Sequence, residues 1–145
     1  MTAPFGWPTW RDVDGVILEF LQRLKNREFS TTFCEKCGST FFPPQSYCPD
    51  CLSNSVSWRK LEGKATLYSF TQIDRSFRFA APDVIGLVEI EGVKGRVLSR
   101  IDAPLEELEI GMELEVDFLD IGDGYFLHQF KPVKMQASLS ANMNE

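Results

Sequence analysis

The sequence predicts a mainly β protein: an N-terminal helical arm, then a four-cysteine ribbon, then a five-stranded barrel. Three observations carry this reading. The chain's only four cysteines form two Cys-x2-Cys pairs, Cys34/Cys37 and Cys48/Cys51, within eighteen residues. Ahead of them, apolar residues recur at spacings of three and four, the period of one helix face. Behind them, five runs rich in β-branched and aromatic residues are separated by turn signals. At 145 residues the chain can bury a real core, as one ordinary domain or two small ones.

The arm is predicted from Thr9 to Phe29. Trp10, Val13, Ile17, Phe20, Leu21 and Leu24 fall on one face. Thr9 is placed to cap the start, and Asp12 lies in the first turn, where a carboxylate is favoured. Gly15 interrupts the pattern, so two short helices hinged at Asp14-Gly15 fit as well as one. Val16 and Leu18 lie off the main face, leaving apolar surface on more than one side. Two readings stand: a helix packed on the chain's own core, or a docking arm for another protein.

The ribbon spans Thr31 to Trp58. Each Cys-x2-Cys pair can form a tight knuckle aiming two thiolates at one point, and two facing knuckles make a tetrahedral S4 site. Gly38 follows the first pair, where a positive φ turns backbone amides toward sulfur. Phe41-Phe42-Pro43-Pro44 in the spacer suits a compact hairpin. Zinc is favoured over a disulfide pair or a redox dithiol, and the same four thiolates accept iron. With all four ligands supplied by protein, no position stays open for water or substrate, so the role is structural. A segment this short cannot fold by apolar burial alone. Metal removal is expected to unfold it and leave the C-terminal barrel intact.

The barrel strands follow in order: Lys64 to Ile73; Val84 to Glu91; Arg96 to Ile101, joined to the second by Gly92-Val93-Lys94-Gly95; then, after a helical or turn-like connector at Pro104 to Gly111, two more. The fourth is the clearest, because Met112, Leu114, Val116 and Phe118 alternate with Glu113, Glu115 and Asp117. Gly122-Asp123-Gly124 turns into the last, Tyr125 to Phe130. Five strands with a helical connector between the third and fourth follow the order of an OB-fold barrel. The organisation expected is an arm at 1–30, ribbon at 31–60, barrel at 61–135 and a disordered polar tail at 136–145.

Charge weighs against one function class. The net charge is −6, but residues 1–80 carry ten basic and eight acidic side chains, whereas residues 81–145 carry five basic and thirteen acidic. A barrel this acidic repels a phosphate backbone, which argues against the rival reading of a single-stranded nucleic-acid-binding module. No apolar run approaches a bilayer span, and the first residues lack a secretion-signal pattern. Paired cysteines without such a signal point to a reducing compartment, so cytoplasm is expected. Catalytic residues are expected to be none. His128 is the one histidine, every cysteine is committed to the ribbon, and no glycine-flanked serine elbow or phosphate-cradling glycine loop is present. A lone histidine among Phe126, Leu127 and Phe130 reads as a hydrogen-bonded structural residue.

The chain resembles the "domain of unknown function 35" family, a rubredoxin-like zinc ribbon joined to an acyl-CoA-associated OB-fold. The resemblance rests on Cys34-Glu-Lys-Cys37-Gly38, Phe42-Pro43-Pro44, Cys48-Pro49-Asp50-Cys51, Gly63-Lys-Ala-Thr-Leu-Tyr68-Ser69-Phe70-Thr71 and Ile110-Gly111-Met112-Glu-Leu-Glu-Val116. It covers Trp10 to Val133. Asp83 departs from the more apolar stretch usual around Pro82 to Gly86. The resemblance implies an accessory subunit that helps hold or pass acyl-CoA for a thiolase-superfamily or hydratase-type enzyme, or bridges two such enzymes. A CoA ligand needs cations for its phosphates and an apolar path for its arm. Arg75 and Arg78 are the candidates for the first, Phe77 and Phe79 for the second, in a loop where OB-folds often bind ligands. The alternative is a strand edge with solvated arginines and buried rings. Lys94 and Arg96 are weaker candidates.

Overall fold

A computed structural model of the protein describes residues 15–75 and 82–133. Helix α1, Gly15–Lys25, buries Phe20 and Leu24. Its inward stripe runs along Val16, Phe20 and Leu24 at spacings of four, which corrects the face expected from the sequence: Val16 is half-buried and Ile17 is 48% exposed. Thr9, Trp10, Asp12 and Val13 lie outside the described residues. The helix also ends earlier than expected. Arg27, at φ 58°, takes the left-handed position of a Schellman cap, with Arg27 N–H donating to Leu24 O and Glu28 N–H to Arg23 O. That reversal sends Phe29 into the core. For Gly15–Lys25, packing on the chain's own core is therefore the reading that holds.

The ribbon is a three-stranded antiparallel sheet of order β2-β1-β3, with β1 at Ser30–Cys34, β2 at Thr40–Phe41 and β3 at Val56–Lys60. Strand β1 gives no alternation in the sequence because Ser30, Thr31 and Thr32 are all buried despite their hydroxyls. Two of these are satisfied locally. Thr31 Oγ1 donates to Phe41 O at 2.5 Å, and Thr32 Oγ1 accepts from Gln45 N–H at 2.9 Å.

Five further strands close a barrel: β4 (Ala65–Ile73), β5 (Asp83–Ile90), β6 (Val97–Ile101), β7 (Glu113–Gly122) and β8 (Tyr125–Pro132), in the order β4-β5-β6-β8-β7. All neighbours run antiparallel except β6 and β8, which pair in parallel at Arg100 with Gln129 and Ile101 with Phe130. The connector before β7 holds a 3-10 turn, Leu105–Glu107. Asp83 belongs to the closure: its carboxylate accepts from Arg100 Nε at 3.0 Å, and Arg100 Nη1 donates to Gln129 Oε1 at 2.7 Å. Gln129 Nε2 then donates to Asp117 Oδ2 at 2.8 Å. One chain of hydrogen bonds thus ties β5, β6, β8 and β7 where the parallel pair closes the barrel.

Ribbon, helix and barrel share one core. Phe20, Leu24 and Phe29 pack with Leu67, Val88, Val97, Ile101 and Phe130 of the barrel. The backbone joins them too. Lys94 N–H donates to Thr40 O at 2.9 Å and Phe42 N–H donates to Lys94 O at 2.9 Å, so the β5–β6 turn lies along the end of β2. Gly95 makes this approach possible, because a Cβ there would lie 2.3 Å from Phe42 O. Ribbon and barrel are thus joined at the β5–β6 turn as well as through the shared core.

Candidate metal centre

The two knuckles are built alike. In each, the N–H four residues after the first cysteine bonds back to that cysteine's carbonyl: Gly38 to Cys34 and Leu52 to Cys48, both at 2.9 Å. Both closing residues have positive φ, 80° for Gly38 and 63° for Leu52. The tight turn aims backbone amides at sulfur, with Cys37 N–H donating to Cys34 Sγ and Asp50 N–H to Cys48 Sγ, each at 3.4 Å. The four sulfurs lie within 4.8 Å of one another, and the cross-knuckle distances Cys34–Cys51 and Cys37–Cys48 are both 3.6 Å.

These separations decide what chemistry the cluster supports. Bonds of about 2.3 Å from sulfur to a tetrahedral zinc put the sulfurs about 3.8 Å apart, close to what is seen. A disulfide needs about 2.05 Å. The thiols also resist shared ionisation. Cys34 is held down to about 7, first by the Cys37 amide. Cys37 is pushed up to about 12: the Ser39 amide lowers it, but the neighbouring Cys48 thiol and burial outweigh that amide. Four adjacent thiolates require a cation among them, and the four-sulfur set is one that could hold a metal ion. Asp50 of the second knuckle is ion-paired with Lys94 of the barrel turn, and this partner holds its carboxyl below the usual range. Lys94 is therefore engaged beside the four-cysteine cluster. Arg96 lies 3.6 Å above the Tyr68 ring and pairs with Glu89 at 3.8 Å.

Other residues singled out from the sequence lie elsewhere. Arg75 is exposed just beyond β4. Phe77, Arg78 and Phe79 fall outside the described residues. His128 is buried on β8 with its Nδ1 3.0 Å from Ser99 Oγ, among the rings of Phe20, Phe29, Phe42 and Phe130. Burial pulls its pKa down to about 4, so it is neutral near pH 7 and sealed from solvent. The role of Lys94 was not evident in the sequence. Its partner Asp50 is 44 residues away, and no local pattern marks the pair.

Two family models match in tandem. The ChsH2 rubredoxin-like zinc ribbon domain covers residues 22–57, and the ChsH2 C-terminal OB-fold domain covers residues 58–119. A curated relative from Methanothermobacter thermautotrophicus, named a DUF35 domain-containing scaffold protein, is 34% identical over 68% of this chain and 80% of its own. The chain belongs to the DUF35 family. A second DUF35 scaffold protein, from Methanocaldococcus jannaschii, is 30% identical over 70% of this chain and 79% of its own. A "probable enoyl-CoA hydratase alpha subunit" of Thermomonospora curvata is 26% identical over 81% of this chain, which matches only 37% of that longer protein. Among solved structures, a chain of the Ltp2-ChsH2(DUF35) aldolase superimposes with a TM-score of 0.74 at 23% identity, over 87% of this chain and 98% of that one. A DUF35 protein from Sulfolobus solfataricus gives 0.61 at 21%, over 83% and 85%. Both share the fold. Among the described residues, no helix is long and apolar enough to cross a membrane.

Proposed function

We propose that this DUF35 chain is a non-catalytic, cytoplasmic accessory subunit that docks on a thiolase-superfamily or hydratase-type enzyme and helps it hold acyl-CoA. Cys34, Cys37, Cys48 and Cys51 hold one structural Zn2+ in this reading, and the chain divides near residues 30, 60 and 135. The observation that carries it is the closed four-sulfur cluster. A site with four protein ligands keeps no position for substrate, so it serves shape and not turnover. His128, sealed in an aromatic shell, is equally unsuited to proton transfer with a ligand. The names of the relatives point the same way: two are called scaffold proteins and a third a hydratase subunit. Arg75 and Arg78 with Phe77 and Phe79 remain the candidates for CoA phosphates and acyl chain.

A tagged pull-down from the native host at moderate salt tests this. The expected result is a near-stoichiometric acyl-CoA enzyme that stays bound as salt rises, because apolar docking is weakly screened. Replacing both Arg75 and Arg78 by alanine should then weaken CoA binding by the complex. Nucleic acid co-eluting without an enzyme, and released steeply by salt, overturns the reading.

A further inference from the structure

We propose that Asp50, with Ser39 and Lys94, forms a clamp that sets how fast the ribbon lets go of its metal. The inference rests on the zinc reading above and assigns positioning residues outside the four ligands. Its basis is a single carboxylate that gathers both knuckles and the barrel. Asp50 belongs to the second knuckle, where its N–H donates to Cys48 Sγ at 3.4 Å. Its Oδ2 accepts from Ser39 Oγ at 2.8 Å, and the Ser39 carbonyl in turn accepts from Cys34 N–H of the first knuckle at 2.8 Å. The same Oδ2 is ion-paired with Lys94 Nζ of the β5–β6 turn, whose backbone is fixed against Thr40 and Phe42.

The second knuckle depends on such a hold more than the first. The first lies between the end of β1 at Cys34 and the start of β2 at Thr40, and Glu35 N–H ties it to Ser55 O at 2.8 Å. The second lies in the strandless run between β2 and β3. Its backbone bonds, Cys48 N–H to Ser53 O and Leu52 N–H to Cys48 O, stay within its own loop. Among the described residues, the hydrogen bonds from Cys48–Leu52 to the rest of the fold are those of the Asp50 carboxylate, sulfur contacts apart.

Charge gives the clamp its direction. Four thiolates around a divalent cation keep a net negative charge, and Asp50 adds another beside it. Unpaired, that carboxylate would push the second knuckle off the cluster; paired with Lys94, it is drawn in. Opening this knuckle withdraws Cys48 and Cys51 together, so its detachment is the step that governs release. Groups just outside the ligands change metal affinity by about tenfold or more.

The test is transfer of zinc from the loaded, full-length protein to an excess of a chromophoric chelator, for the wild type, Lys94→Met, Asp50→Asn, both together, and Lys94→Arg. Lys94→Met should release zinc about tenfold faster, since it leaves the carboxylate uncompensated. Asp50→Asn should be milder, and adding it to Lys94→Met should bring the rate back toward its own. Lys94→Arg, which keeps the charge, should stay near the wild type. Added salt should speed release from the wild type and hardly affect the double variant. Wild-type rates in Lys94→Met overturn the proposal, as do effects of the two substitutions that simply add. Release from Lys94→Arg as fast as from Lys94→Met also overturns it, because charge would then not be what holds the knuckle. If the wild-type chain takes up no zinc, the metal reading itself falls and takes the clamp with it.

Discussion

Burial forces His128 to fold neutral, and that gives stability a direction in pH. Its pKa lies near 4 in the folded protein against 6.5 for the free side chain. Above pH 6.5 both states are neutral and no cost arises. Between pH 6.5 and 4 the unfolded chain binds a proton that the folded one refuses, so stability falls as pH falls. Integrated over that window the loss is about 3 kcal/mol. Unfolding followed at pH 7 and pH 4.5 should show it, and His128→Gln should flatten that part of the slope. An unchanged slope in the variant would assign the acid sensitivity to other groups. The sequence showed a lone histidine among phenylalanines and suggested a structural role. It did not show that Phe20 and Phe29, a hundred residues earlier, would complete the shell.

Between elements, the decisive contact is that of the β5–β6 turn with β2. Gly95 has φ 93°, and any Cβ there would meet Phe42 O. Gly95→Ala should combine left-handed strain with loss of the Lys94 hydrogen bonds, a cost of about 2 kcal/mol or more. That is a fall of roughly 5 °C or more in Tm for a chain of this size. Gly92→Ala is the control, since its Cβ would meet nothing within 4 Å although its φ is also positive, 81°. Equal losses in the two variants would remove the special role of the junction. Strands β4 to β6 were legible to within one residue at each end from their composition and turn signals, whereas β7 runs on into the expected turn at Gly122 and β8 on to Pro132. Strands β1 and β3 were not, because β1 buries hydroxyls and β3 is set by its pairing with β1. On α1 the expected face held at Phe20, Leu21 and Leu24 and failed at Ile17, where Val16 turns inward instead, since a pattern rich in apolar residues on several sides does not reveal which side finds a partner.

At the scale of the molecule, metal removal should reach past the ribbon. The Cys48–Cys51 knuckle holds Asp50 against Lys94, and Lys94 holds β2. Stripping the metal should release both, so amide hydrogen exchange should rise at Thr40, Phe42 and Lys94 together with the knuckles. The interior strands β5 and β8 should stay protected, because their core of Val88, Phe130 and neighbours is apolar and independent of sulfur. Exchange confined to the knuckles would restore the simpler expectation of an independent ribbon. Arg23 over Trp58 at 4.7 Å gives a second readout, since tryptophan emission should shift as β3 loosens.

The sequence by itself determined the four-cysteine cluster, the barrel strands along the chain, and the family, because each of these is written in local spacing. Two Cys-x2-Cys pairs specify their own knuckles, and strict alternation specifies its own strand. What only the tertiary structure decided is how the parts meet. The shared core of Phe20, Phe29, Phe42 and His128, the Asp50–Lys94 pair, and the left-handed Leu52 left exposed at the second knuckle all depend on neighbours distant in the chain or on a backbone angle. No periodicity records such contacts, since their energies arise only once non-local packing has brought the groups together.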